Sequence, residues 1–507
     1  MSIRNHNLTA RLEIGLDMTV TKSSKVARHA SDTARQQNKK HRPTSRAWLI
    51  VALLVIFQII AFADKAVLGL VGPYAMADLG LNATQFGFIG SAFFFLYAIV
   101  SVVTGILASK ISVHWILFTL GVVWAVMQFP MLLGGGAAVL LATRIILGGA
   151  EGPATAMSLT SAHTWFHPSR RALPSNLVAI GSTMGPVFAA PFIAWVIGMW
   201  GWRWAFGALG IIGLVWIVSW LVLGGDGPYR QGSGDKSATD ATDATDANSA
   251  EGSAVVEEAA AEEETETDKV DDQKPVNIWR ALFSVAFFAA LFGAISNFWV
   301  QGFLTTWLPQ YLGTVLGFSL AEVGVYTTFP WVLGALVLLI MGALGQRWMS
   351  RGANAHVAIA VPFGLSTAIA GLAFLLIPSS SGVLGVILLS IAGGCSLVFP
   401  MTASAIGYAV GPKQRPIMMA TLGGFGAFGA IVSPVLVGWL MTAAGYVAPE
   451  NGAAPSGEMV AAMTSGVNTA FIITGVLLVT AGAAAAIFLR PERLGRKLQS
   501  QYVPKAS

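Results

Sequence analysis

Four charged side chains fall inside long apolar stretches of this 507-residue sequence, well away from the ends of those stretches: Asp64, Lys65, Arg144 and Glu151. Two acids balance two bases. In hydrocarbon each such charge costs roughly 2.5–3.5 kcal/mol on insertion scales, so it persists only where it pairs, faces a watery cavity, or both. Arg144 and Glu151 stand seven residues apart, so on a helix both project from one face, separated by about 10 Å. Two chemistries suit such a set. One is a buried ion-pair network that only holds helices together. The other is a site where carboxylates exchange protons and the bases attract an anion. A purely structural pair has no need of Glu151 deeper along the same face, which favours the second. Imidazole chemistry is not expected inside the apolar stretches, because all seven His lie in the tails or near segment ends. Cys395 is the single thiol, so no intrachain disulfide forms, and no CxxC or His/Cys cluster offers a metal site.

The elements that position these charges are visible in composition and periodicity. The chain is 55% hydrophobic and 11% charged, against about 25% charged in ordinary soluble domains. Of its 25 acids, 15 lie between Asp226 and Asp272, and 27 of its 30 Lys/Arg lie in the terminal segments or in alternate loops. That distribution excludes a soluble enzyme, a nucleic-acid binder and a secreted domain, since the basic residues flank apolar runs. Runs long enough to cross a ~30 Å hydrocarbon core recur twelve times. Six precede the acidic segment, at 47–70, 84–107, 115–133, 137–161, 174–197 and 203–223. Six follow it, at 279–312, 322–345, 355–377, 381–407, 417–441 and 464–489.

The expected organisation is a basic arm (1–46), a six-helix half (47–223), an acidic linker (224–278), a second six-helix half (279–489) and a tail (490–507). The arm lacks the apolar core of a signal peptide. The linker repeats Asp-Ala-Thr and then runs Glu-rich, a composition that cannot bury enough apolar surface to fold. With the arm in the cytoplasm, Lys110, Arg170, Arg171, Arg347, Arg351, Lys413 and Arg415 are all cytoplasmic and only Arg203 is outside. This satisfies the positive-inside rule and places the chain in the cell membrane with both termini cytoplasmic.

The halves read as copies. Adding 237 takes Tyr74 to Tyr311, Gly87 to Gly324, Gly105 to Gly342 and Lys110 to Arg347. Farther along, Ile146-x-Gly148-Gly149 answers to Ile391-x-Gly393-Gly394, and the Arg170/Pro191 spacing recurs as Lys413/Pro434. Copies running in the same direction imply a pseudo-two-fold axis along the membrane normal, with a site at the repeat interface. The fold class is therefore an all-α membrane protein of twelve transmembrane helices in two six-helix halves. The charges break the symmetry, because Asp64 aligns with Gln301 and Glu151 with Ser396. Titratable groups in one half then face neutral polar groups of the other. For Ser396 alone, packing with its hydroxyl bonded back to its own helix is the competing explanation. Gly181-x-x-x-Gly185-Pro186 in segment 5 is accounted for by close helix packing, and Pro186 and Pro191 by a bend.

Phe-Ala-Asp64-Lys65 and Arg144-x-x-Leu-Gly-x-x-Glu151-x-Pro153 resemble motifs of the major facilitator superfamily, within its anion:cation symporter branch of hexuronate, galactonate, phthalate and sialic-acid carriers. Trp165-Phe166-x-Pro168-x-x-Arg171, Gly201-Trp202-Arg203-Trp204-x-Phe206 and Trp307-x-Pro309-x-Tyr311 support the match. The resemblance implies that Asp64 and Glu151 form the proton-coupling pair, that Lys65 meets a substrate carboxylate, and that Tyr97 and Ser182 line the pocket. Arg144, Gln301 and Ser396 complete the expected substrate-binding set. Several positions depart from the family pattern. Gly105-Ile-Leu-Ala-Ser109-Lys110 lacks the usual acid, Phe62 replaces a Tyr, Lys65 replaces an Arg, and Gly423 and Ala427 stand where sugar-acid carriers often have Asn. The last two point to a substrate with fewer hydroxyls, such as an aromatic or short organic acid.

The expected function is proton-coupled uptake of a small organic anion, an aromatic or sugar carboxylate, by alternating access. The proton gradient drives it, with no other cofactor and no enzymatic activity. Its partners are the organic acid, protons and the bilayer, with no nucleic acid, and the chain works as a monomer. The alternative is a proton-coupled efflux antiporter, since the helix 5 glycines partly resemble those of drug exporters, although Ala189 and Ala190 stand where further glycines are expected. A non-transporting sensor that kept the fold is a third class.

Overall fold

The computed structural model describes residues 44–108, 110–167, 170–229, 276–411, 414–449 and 455–500. Residues 1–43 of the basic arm, most of the acidic linker, Ser109, Pro168, Lys413 and residues 501–507 lie outside the described residues. Among the described residues there is no β-strand, and twelve helices are long and apolar enough to span a membrane. They are α1 (Ser45–Leu79), α2 (Ala83–Leu107), α3 (Val113–Leu132), α4 (Ala137–Trp165), α5 (Leu173–Trp200) and α6 (Trp202–Leu223), followed by α7 (Val285–Thr306), α8 (Leu320–Met349), α9 (His356–Ser379), α10 (Gly382–Gly407), α11 (Ile417–Ala443) and α12 (Gly457–Phe488). Twelve crossings return the chain to the face where it began, here the termini face.

Three differences from the expected boundaries have a clear local cause. α1 continues past residue 70 to Leu79, through Pro73, and stops at Gly80, whose φ of 63° is left-handed. A proline removes one backbone hydrogen bond without forcing the chain out of helical φ. The 279–312 run divides into a short helix (Ile278–Leu282), α7 proper, and, beyond Trp307, a short helical stretch (Leu308–Gln310) that continues as a π-helix (Tyr311–Val315). The division falls at Ser284, whose hydroxyl accepts from the Phe287 amide at 3.2 Å and starts a new helix. The segment expected as a plain tail folds at Pro491–Ser500 into a helix, α13, with Leu494 and Leu498 buried.

The repeat is borne out by contacts. Phe93 and Pro330 are repeat-matched, and so are Gly148 and Gly393. A Cβ at Gly148 would overlap the Phe93 backbone, and one at Gly393 would lie 2.7 Å from Pro330 Cβ. Between halves the same rule holds. Gly87 of α2 sits against the Pro434 carbonyl of α11, and its partner Gly324 of α8 sits against Ala190 and Pro191 of α5. Pairs that exchange halves in this way are what a two-fold axis between the halves requires.

These inter-half contacts all lie on the face away from the termini. There Gly69 and Gly72 of α1 meet Thr305 and Gln310, Gly90 of α2 meets Thr306, and Gly438 of α11 meets the Ala83 carbonyl. Toward the termini face the fit loosens. Gly105 and Gly342, another repeat-matched pair, have no neighbour within 4 Å of a built Cβ, and Gly424 comes no closer than 3.7 Å to Ala98 of α2. The molecule is closed on the far face and loosely packed on the termini face.

Candidate substrate and proton site

All four membrane charges meet in the first half, and all are buried: Asp64 is fully inaccessible, and Arg144, Glu151 and Lys65 are 2%, 4% and 6% exposed. α1 carries Asp64 and Lys65 at mid-length and α4 carries Arg144 and Glu151, so the pairing expected from the sequence forms between two elements. The Arg144 guanidinium donates to both Asp64 oxygens, at 3.1 and 3.2 Å. Gln128 of α3 adds a third bond, donating from Nε2 to Asp64 Oδ1 at 2.6 Å. The Asp64 carboxylate is thus saturated by charge-assisted donors.

Glu151 is provided for differently. Neither of its carboxylate oxygens has a hydrogen-bond partner, and its nearest cation, Lys65 Nζ, stands 3.9 Å away. It is the last residue of the first part of α4, because Pro153 has no N–H for the Gly149 carbonyl and the helix restarts at Ala154. The Lys65 ammonium lies among aromatic rings, 3.7 Å from the Phe62 centroid, 5.3 Å from Tyr97 and 6.0 Å from Phe93. Ring faces attract a desolvated cation without neutralising it. Phe93 and Tyr97 reach this position through a local break in α2, residues 93–96 being turn rather than helix. Gly148 and Gly152 of α4 let α2 approach closely enough for this. A cavity of about 20 Å3 remains between Lys65, Arg144, Gly90 and Phe94, closed from the other half by Thr305 and Thr306. That is room for about one water molecule.

Asp64, Lys65, Tyr97, Arg144 and Glu151 are therefore brought together. Ser182 is not in that group, since it accepts from Gln58 Nε2 at 2.8 Å, beside Thr155, which accepts from the same nitrogen at 2.8 Å. This polar node ties α1, α4 and α5. Gln301 follows Phe298 and precedes Thr305 at helical spacing on α7. Phe298 packs edge-on against Phe399 of α10 at 4.9 Å. Ser396 occupies the end of the first part of α10, as Glu151 does in α4, but its hydroxyl donates to the Gly393 carbonyl at 2.7 Å. At the repeat position of Lys65 stands Gly302, which packs on Ala430 and Pro434. Trp307, fully buried, donates to the Pro434 carbonyl at 2.9 Å and belongs to the far-face seal.

Gln58, Gln128, Thr305 and Thr306 are not among the site residues expected from the sequence. A glutamine deep in an apolar run was the available signal for the first two. Gly181 and Gly185 press on Val55, Gln58, Ile59 and Phe62 of α1, and α5 runs unbroken through Pro186 and Pro191. Close packing on α1 is their role.

Two six-helix copies that meet around a buried, charge-balanced pocket are the architecture of a membrane transporter. The chain belongs to the Major Facilitator Superfamily, whose model matches residues 54–393. It is similar to the hexuronate transporter of Bacillus subtilis (strain 168), with 26% identity over 447 residues, 87% of this chain and 94% of that one. It is 25% identical over 456 residues to a probable sulfoacetate transporter of Cupriavidus necator, again covering 87% of this chain and 94% of the relative. Among solved structures, the unoccupied inward-facing form of a bacterial homolog of the human lysosomal transporter Spinster superposes with a TM-score of 0.70 at 17% identity, covering 92% of this chain and all of that one. The protein is thus a multi-pass membrane transporter and not an enzyme, and its similarity to a hexuronate carrier agrees with the branch named from its motifs.

Proposed function

We propose that this transporter takes up a small organic anion together with protons across the cell membrane, with both termini cytoplasmic. The observation that carries the proposal is the unequal provision of the two carboxylates. Asp64 holds three hydrogen bonds and Glu151 none. Glu151 can gain or lose a proton without breaking a bond, whereas Asp64 would have to surrender Arg144 or Gln128. A proton placed on a Glu151 oxygen removes the negative charge 3.9 Å from Lys65. The ammonium is then free to hold a substrate carboxylate, and release of that proton expels the anion. Proton and anion therefore travel together, driven by the proton gradient with no bound cofactor, and one chain suffices.

The substrate class follows from the surroundings. The relatives that transport hexuronate and sulfoacetate handle small organic acids, and Lys65 offers a single cationic head suited to one carboxylate. In the second half, the Phe298–Phe399 pair and the absence of amide side chains at Gly423 and Ala427 favour a substrate with few hydroxyls. An aromatic or lightly hydroxylated sugar carboxylate fits best. The test is paired uptake in proteoliposomes, using a panel of glucuronate, galactonate, sulfoacetate and benzoate to find the transported acid. Glu151→Gln should abolish accumulation driven by a pH gradient yet keep exchange at equal pH. Normal proton-driven accumulation by Glu151→Gln would overturn the mechanism and leave the cluster as a packing network.

A further inference from the structure

On the termini face, where the start of α7 meets the end of α12 and α13, a groove of about 780 Å3 opens far from the charge cluster. Among the described residues its lining includes four basic side chains, Arg280, Arg490, Arg493 and Lys497, and no acidic one. Apart from Ser284, its remaining lining is apolar. Phe283 is 71% exposed, Val285 67%, and Ile487 and Phe488 52% each.

The arrangement is fixed by packing. Arg493 and Lys497 stand four residues apart on one face of α13, and Arg490 immediately precedes the helix at the same groove. The adjoining stripe of α13 buries Leu494 and Leu498 at the floor of the groove, in a cluster with Ala281 and Ala409. Glu492, the one acid nearby on α13, is turned away to α9, where it accepts from the His356 amide at 3.2 Å. The His356 ring meets the Leu489 carbonyl at 2.7 Å and secures the end of α12. Arg490 donates from Nε to the Ile487 carbonyl at 2.9 Å, which holds its guanidinium at the groove edge.

We infer that this groove binds an anionic diacyl phospholipid of the termini-side leaflet, its phosphate among Arg490, Arg493 and Lys497 and its acyl chains along Phe283, Val285, Ile487 and Phe488. Basic pockets at the ends of membrane helices recognise anionic head groups. The apolar half of the groove selects a lipid over a soluble phosphate, which would leave those side chains bare. Trp279, 66% exposed next to the groove, marks the depth of the interface.

The test uses full-length protein stripped of lipid in detergent and read by native mass spectrometry. Dioleoyl phosphatidylglycerol should be retained far better than dioleoyl phosphatidylcholine, and glycerol 3-phosphate at equal concentration should not displace it. The combined Arg490→Gln, Arg493→Gln and Lys497→Gln variant should weaken phosphatidylglycerol binding by about fivefold per residue. Lysine at 490 and 493 should preserve it. Equal retention of both lipids, displacement by glycerol 3-phosphate, or undiminished binding to the glutamine variant would each overturn the inference. The lipid comparison on unmodified protein decides the matter even if the glutamine variant does not fold.

Discussion

Protonating Asp64 would set its carboxylate against three donors, and removing its charge leaves Arg144, 2% exposed, without a counter-ion. Breaking a buried pair from one side costs about 3–5 kcal/mol. Asp64→Asn should therefore lower thermal stability and impair both gradient-driven uptake and counterflow, in contrast to Glu151→Gln. Stability equal to wild type would show that Arg144 does not depend on Asp64. Gln128→Leu removes a single hydrogen bond to a charge, worth roughly 1.5–3 kcal/mol, and keeps the ion pair. Its melting temperature should fall by less than that of Asp64→Asn. An unchanged melting temperature would mean that Gln128 does not serve Asp64 in the folded protein. Asp64 and Arg144 were legible as a pair because charges in an apolar run need partners. Gln128 was not, since a neutral amide in such a run costs less and draws less notice.

Helices reach one another here through residues without side chains, and the positions of close approach decide which face is shut. A Cβ at Gly87 would overlap the Pro434 carbonyl, a backbone atom that cannot rotate aside. Gly87→Ala should therefore disfavour closure of the far face and reduce counterflow severalfold. Gly105→Ala and Gly342→Ala, open in this conformation, should cost little by comparison. Counterflow by Gly87→Ala at the wild-type rate would exclude this seal as part of the cycle. Element ends were harder to foresee than element number. The span expected to end at residue 70 continues through Pro73 to Leu79, and the one expected to run on from 279 restarts at Ser284, because hydroxyl capping is decided by local geometry.

At the scale of the whole chain, the basic loops and the twelve crossings give a sidedness that labelling can check. In a background with Cys395→Ser, Ser350→Cys should resist an impermeant thiol reagent in intact cells, and Leu133→Cys, on the opposite face, should react. The reverse pattern would invert the topology and place the termini outside. Deleting residues 231–266, which have almost no aromatics or bulky aliphatics, should leave transport largely intact. A folded deletion variant inactive in uptake would show that the linker takes part.

Composition and charge placement by themselves determined twelve spans, two halves, a duplicated origin and the four membrane charges that the fold brings together, because each is a property of residue type and spacing along one dimension. Hydrocarbon thickness sets the run length, and desolvation makes a membrane charge conspicuous. What only the tertiary structure decided is how those groups divide their work. Ser396 and Glu151 hold matching positions, yet one hydroxyl bonds back to its own helix while the other side chain faces a cation. Lys65 was expected at a carboxylate, and its ring partners Phe62, Phe93 and Tyr97 come together only through the break in α2 and the glycines of α4 beneath it. The amphipathic α13 and its basic groove likewise emerge only once Leu494 and Leu498 find a surface to cover. Distances between residues far apart in sequence set hydrogen bonding and charge balance, and those distances exist only after the helices have packed.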